Sequence, residues 1–444
     1  MASMTPSEIP RSVQIIEPFQ RFFKKAVGGS YPLFAATLLA FAWANFSPHT
    51  YHSLWHTELS ISFGDLQITK SLVHWIDEAL MALFFFTVGL EIKREILVGE
   101  LASPKRALLP IAAAIGGMMV PASIYLLFNY GAVSARGWGI PMATDIAFSL
   151  AVLAIVGRRI PFGLRIFLSA FAIADDLGAV LVIAIFYTKS IAWNYLLFST
   201  FFFAGLAVAN MLWIRWTLVY ALLGSGLWFA FLGSGIHATV AGVMVAMFIP
   251  ARGKYDTITF LEKIKGYLEH FECEPDSCGH TVLLNQKHLN DIRSIEEASH
   301  HVQTPLQRLE YNLHPWISMA VLPLFALANA GLVLKGVEIA ETVFHPVTLG
   351  IALGLILGKP IGIFGFTYFA ATIFRTPLTS GVTWSHILGA SMLGGIGFTM
   401  SLFISGLSFS SAPFLELSKL GILLGSLISA VAGIIVLSLG KKNV

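Results

Sequence analysis

Apolar residues in this chain come in nearly unbroken runs of about 20, the length that crosses a bilayer as a helix. Such runs lie near 31–47, 72–95, 107–129, 139–156, 163–187, 194–212, 217–234, 236–251, 315–334, 346–373, 384–408 and 414–439. Only a helix satisfies its own backbone in lipid, so the pattern predicts an all-α polytopic membrane protein with about twelve transmembrane helices. One stretch has a different period. In "ELSISFGDLQITK" (58–70), polar and apolar residues alternate on both sides of Gly64-Asp65, which predicts a small β-hairpin with a two-residue turn. An isolated hairpin is marginal in water, so it is expected to lean on the membrane protein or to pair with a second copy.

Composition agrees with this class. Of 444 residues, 56% are hydrophobic and 12% charged, against roughly 25% charged in soluble domains. Two Cys exclude a disulfide framework, and no nucleic-acid partner is expected. The distribution of the 28 Lys and Arg says more than the net charge of +3. With alternate loops assigned to alternate sides, 22 fall on the side holding both termini and 4 on the other. Leaving out the long hydrophilic loop 252–312 still gives 15 against 4. The positive-inside rule puts both termini, and that loop, in the cytoplasm. Residues 1–25, with Arg11, Arg21, Lys24 and Lys25 and no cleavable signal pattern, form an interfacial cytoplasmic segment. The loop at 48–71, with the hairpin, is external.

Within the spans, three acids and one base stand out: Asp145, Asp175, Asp176 and Lys359. Each charge costs about 2.5–3.5 kcal/mol at the centre of a membrane helix on insertion scales. Ion pairing offsets one acid at most, and the remaining carboxylates must bind a cation or take up a proton. "AIADDLGAV" (172–180) sets two carboxylates side by side. "GIPMATDIAFSL" adds Pro141 and the Thr144 hydroxyl beside Asp145. Glycines surround Lys359-Pro360, and Gly394-Gly395-Ile396-Gly397 weakens the eleventh span. Spans 4 and 11 are therefore predicted to be interrupted. Each is the second helix in a group of three, spans 3–5 and 10–12, which is the pattern of inverted repeats around a midplane site. At such a crossing Asp145 neutralises converging positive helix ends and Lys359 converging negative ones.

Several segments closely resemble the NhaA-type sodium/proton antiporters: "MATDIAFSLAVLA", "AIADDLGAV", "GSGIHATVAGV", "LPLFALANAG", "LGKPIGI", "GIGFTMSLFI" and "ALMALFFFTVGLEIKRE". The resemblance covers nearly the whole chain apart from the middle of the 252–308 region. That family is itself one of the known examples of inverted repeats with midplane binding. The resemblance implies electrogenic, pH-regulated export of Na⁺ or Li⁺ for external H⁺ across a bacterial inner membrane, in sodium and pH homeostasis. It makes Asp176 and Asp175 the ion-binding and proton-binding pair, holding Na⁺ as transported ion. It sets Asp145, Thr144 and Lys359 at the crossed helices, with Lys359 a partner for Asp175. Glu91, Arg94, Glu95 and Glu310 match residues of the pH response, and the hairpin matches an external homodimer contact. The chain departs from the family pattern at Tyr311 (often His) and Glu78 (usually Asp), and its 252–312 loop is longer.

Na⁺ is a hard cation that takes oxygen ligands, and two carboxylates with hydroxyls or carbonyls replace part of its hydration shell. Neighbouring helix positions project about 100° apart, so one carboxylate can hold the ion while the other handles a proton. No cofactor and no enzymatic activity are expected. An intramembrane aspartyl protease would want two Asp facing each other from separate spans, typically in a Gly-Xaa-Gly-Asp pattern that is absent, and adjacent Asp on one span fit that poorly. No filter-like loop marks a cation channel; a sodium/solute symporter of similar architecture stays open. In the long loop, "HFECEPDSCGH" sets His270, Cys273, Cys278 and His280 close together at a spacing unlike standard zinc sites. His237, in "GSGIHATVAG", is expected to be structural.

Overall fold

A computed structural model describes residues 31–63, 66–157, 160–188, 192–270, 286–334, 338–379 and 381–439. The 1–25 segment, Gly64-Asp65, Cys273, Cys278, His280 and the side chain of His270 lie outside the described residues.

Helices α1 (Tyr31–Phe46) and α2 (Pro48–Trp55) lead into strands β1 (Glu58–Phe63) and β2 (Leu66–Ser71). The strands pair antiparallel as the alternation predicts, with Glu58 opposite Ser71 and Phe63 opposite Leu66. Next come α3 (Leu72–Val98), α4 (Pro104–Asn129), a 3-10 segment (Val133–Met142), α5 (Ile146–Val156), α6 (Phe162–Phe186), α7 (Trp193–Met211), α8 (Thr217–Ser234) and α9 (Thr239–Phe248). The turn from α8 to α9 passes through Gly235 at φ 85°, a conformation that suits glycine. Helices α10 (Thr257–His270) and α11 (Gln286–Val302) pack on each other within the long loop. The remaining helices are α12 (305–329), α13 (Ile339–Phe344), α14 (Pro346–Ile373), α15 (Trp384–Leu393), α16 (Phe398–Ser408) and α17 (Ala412–Leu439).

By length and composition, seven of the described helices can cross a membrane, or nine if each of two bent pairs is one span. Helices α1 and α9 are apolar but shorter, and α12 carries Arg308 and Glu310 in its first turns. A total of twelve goes beyond these lengths. The pairs are those expected from the breaker residues. The Val133–Met142 segment and α5 are bent by 42°, and α15 and α16 by 45°. In the first pair Pro141 removes an N–H, and Ala143 and Asp145 take extended backbone. In the second, Gly394 to Gly397 interrupt the helical ladder.

Helix α14 forms the interior: 67% of its most apolar window is buried, against 17% for α7 and 28% for α8. Large side chains such as Phe201 and Leu197 on α7 and Leu218 and Leu222 on α8 are exposed, as on a lipid-facing surface. Helix α14 reaches its place by close packing on α4. A Cβ on Gly116 or Gly362 would run into the other residue's carbonyl oxygen, so the backbones touch as only glycines allow. A π-type turn, Gly354–Gly358, immediately precedes Lys359. Such turns recur at functional sites.

Candidate functional site

The two breaks cross, and four helix ends meet at one point. Asp145 is the N-cap of α5: its extended backbone lets Oδ1 accept from the Phe148 N–H at 3.0 Å. Its Oδ2 accepts from the Thr399 N–H at 3.0 Å, in the first turn of α16, and from the Thr399 hydroxyl. One carboxylate therefore caps two helix N-termini that belong to different spans, matching its negative charge to both positive ends. The Ser426 hydroxyl of α17 accepts from the N–H groups of Gly397 and Phe398, each at 3.2 Å. The breaks also join through backbone, since the Asp145 N–H donates to Ile396 O at 2.7 Å.

Lys359 and Asp175 meet beside this crossing. Lys359 Nζ lies 2.7 Å from Asp175 Oδ2 and 2.8 Å from Thr144 Oγ1, and over the Phe171 ring at 5.8 Å. Neither charged side chain is exposed beyond 1%. The expected contact of Lys359 with negative helix ends is indirect: the ammonium donates to the Thr144 hydroxyl, which donates to Gly394 O at 2.8 Å. Geometry explains this, because the amine's reach from α14 is taken up by Asp175.

Asp176 is different. It is 1% exposed, and neither carboxylate oxygen has a hydrogen-bond partner among the described residues. Its charged neighbours are Asp175, Glu91, Asp145 and Lys359. A carboxylate left bare in a dry interior is costly unless a cation or a proton joins it. All five residues anticipated at the ion site thus gather, and the adjacent acids divide as the 100° offset implies: one paired, one open.

Glu91 lies in α3, with Arg94, Glu95 and Glu310 as charged neighbours. Arg94 bonds to Glu310 of α12 and lies 3.3 Å from Glu95, so the four residues singled out for the pH response form one cluster. His237 Nε2 lies 2.9 Å from Tyr187 O at the end of α6, a structural bond. Thr399, Ser149, Ser401 and Ser426 were not anticipated. Their signal was visible as hydroxyls in otherwise apolar spans, with Thr399 and Ser401 just after the Gly394–Gly397 run. Asp77 was also passed over. Half-buried near the beginning of α3, it accepts from Asn329 Nδ2 at 2.8 Å.

Broken spans that cross at a buried carboxylate cluster define a secondary ion transporter, not an enzyme. The profile of the family described as Na⁺/H⁺ antiporter 1 matches residues 20–437. The chain belongs to that family. It is 47% identical over 426 residues to Na(+)/H(+) antiporter NhaA 1 of Saccharophagus degradans, covering 95% of this chain and 91% of the relative. It is 46% identical over 429 residues to Na(+)/H(+) antiporter NhaA of Helicobacter pylori, covering 96% of each.

Proposed function

We propose that this protein exports Na⁺, and Li⁺, in electrogenic exchange for external H⁺, by alternating access, in a bacterial inner membrane with both termini cytoplasmic. The observation that carries the reading is Asp176, whose two buried oxygens have no hydrogen-bond partner among the described residues. The family, and relatives named as Na(+)/H(+) antiporters, support the identity of the ions. Na⁺ and H⁺ compete for the Asp176 oxygens; opened alternately to each side, that competition alone yields antiport. Asp145 and Thr144 position the crossing against the site. Electrogenic exchange moves more than one proton per Na⁺, and the Asp175–Lys359 pair carries the second. We further propose twelve crossings with spans 3–5 and 10–12 as inverted repeats, a pH response at Glu91, Arg94, Glu95 and Glu310, and a homodimer joined through the β1–β2 hairpin.

Everted vesicles loaded with a pH-sensitive dye test the exchange. Addition of Na⁺ or Li⁺ is expected to dissipate an imposed proton gradient. No response to either ion, or dissipation that needs no cation, would sink the reading; dependence on a co-substrate would favour a symporter.

A further inference from the structure

The negative ends of the crossed helices are the part of the crossing that Lys359 does not touch. Buried Ser and Thr hydroxyls in helices ordinarily bond back to their own carbonyl four residues earlier. Ser391 and Thr367 do so here, on Ile387 O and Ile363 O. Ser149 and Ser401 do not. Both are fully buried, and each reaches across to the other broken span. Ser149 Oγ, in α5, donates to Leu393 O at the end of α15, at 2.9 Å. Ser401 Oγ, in α16, donates to Ile140 O, near the end of the Val133–Met142 segment, at 2.7 Å. The two positions correspond. Ser149 is four residues after the N-cap Asp145, and its N–H bonds to Asp145 O at 2.9 Å. Ser401 is four residues after the N-cap Gly397, and its N–H bonds to Gly397 O at 2.8 Å.

We infer that Ser149 and Ser401 form a reciprocal clasp that holds the two breaks as one unit, and that they are positioning residues for Na⁺ binding. Each hydroxyl satisfies a carbonyl at the end of the opposite span, where a serine bonding within its own helix would contribute nothing to the crossing. With those carbonyls and Gly394 O met by neutral hydroxyls, the charge of Lys359 is left for Asp175. The clasp also ties α5, whose N-cap is Asp145, to α15, so the Asp145 carboxylate that neighbours Asp176 is set before the ion arrives. The inference rests on the exchange proposed above.

Ser149→Ala and Ser401→Ala, purified and reconstituted in proteoliposomes beside the unaltered protein, test it. Wild-type exchange is measured first; its absence would overturn the proposed function and leave nothing to position. Given that exchange, each Ala variant is expected to raise the KM for Na⁺ about fivefold, the factor that corresponds to one lost hydrogen bond, with the maximal rate within about twofold. Ser149→Thr, which restores a hydroxyl, is expected to return KM towards the wild-type value. Lower melting temperature with unchanged KM, or failure of Thr to rescue, would reduce the clasp to ordinary structural bonding and overturn the inference. If the Ala variants do not fold, Ser149→Cys and Ser401→Cys, similar in size and weaker as donors, are expected to show intermediate KM values; an unchanged KM there overturns it equally.

Discussion

Lys359 and Asp175 face each other at 2.7 Å with no access to water, joining α14 to α6 at the crossing of the broken helices. Removing one member of a buried pair leaves the other charged or forces it to change protonation, which typically costs about 3–5 kcal/mol. Lys359→Ala is therefore expected to melt well below the wild type in detergent. Lys359→Ala combined with Asp175→Asn should recover part of the loss, since the stranded charge is gone. Additive losses in the double-mutant cycle would show that the two side chains are not coupled.

Asp176 makes a separate prediction about binding. A ligand held only by the folded state at ten times its Kd raises stability by about 1.4 kcal/mol. Na⁺ or Li⁺ should raise the melting temperature of the wild type, with K⁺ at equal ionic strength as the control. Asp176→Asn should fold and show no such rise. An undiminished Na⁺ response in that variant would remove Asp176 from the ion site.

Arg94 bridges α3 and α12 through Glu310. The guanidinium is partly exposed, at 36%, so the coupling is about 1 kcal/mol at most. That corresponds to about 0.7 of a pH unit. Arg94→Ala and Glu310→Ala are expected to move the pH–activity midpoint by similar amounts, with the double variant no further displaced than either. A profile that stays in place in both would separate this cluster from the pH response.

His301 concerns the long loop. The N–H groups of Lys254 and Tyr255 donate to its carbonyl at 2.7 and 3.2 Å, tying the end of α11 to the chain after α9. Burial, and then the Lys254 ammonium with Arg215 and Arg308 nearby, lowers its pKa below the ordinary histidine value; Glu297 opposes this. The unfolded segment therefore binds protons more readily, and docking stability falls as pH drops from about 6.5 through the lowered value. The protection factors over 286–302, with the intrinsic pH dependence of amide exchange divided out, should fall between pH 7.5 and pH 5, and fall less in His301→Gln. An equal pH response in that variant would rule out His301 as the cause.

Much of this arrangement was legible before any coordinates. Span positions follow from the length of apolar runs, because lipid leaves the backbone no alternative to the helix; the 217–234 and 346–373 runs match α8 and α14 at both ends. The hairpin followed from period-two alternation on both sides of Gly64-Asp65, and the breaks from Pro141 and the Gly394–Gly397 run. The adjacent acids of 175–176, being expensive in lipid, marked the site on cost alone.

Partners were another matter. Hydroxyls and carbonyls are short-range groups whose bonds depend on ångström placement, and nothing in a linear pattern says that Ser149 meets Leu393 or that Thr399 meets Asp145 across some 250 positions. The resemblance offered Lys359 as a partner for Asp175, but the tertiary structure decided that the pair forms and leaves Asp176 bare, because the glycine contact of α14 on α4 fixes where one amine can reach. Composition and period determined which groups enter the membrane. Packing determined which of them must find a cation or a proton there.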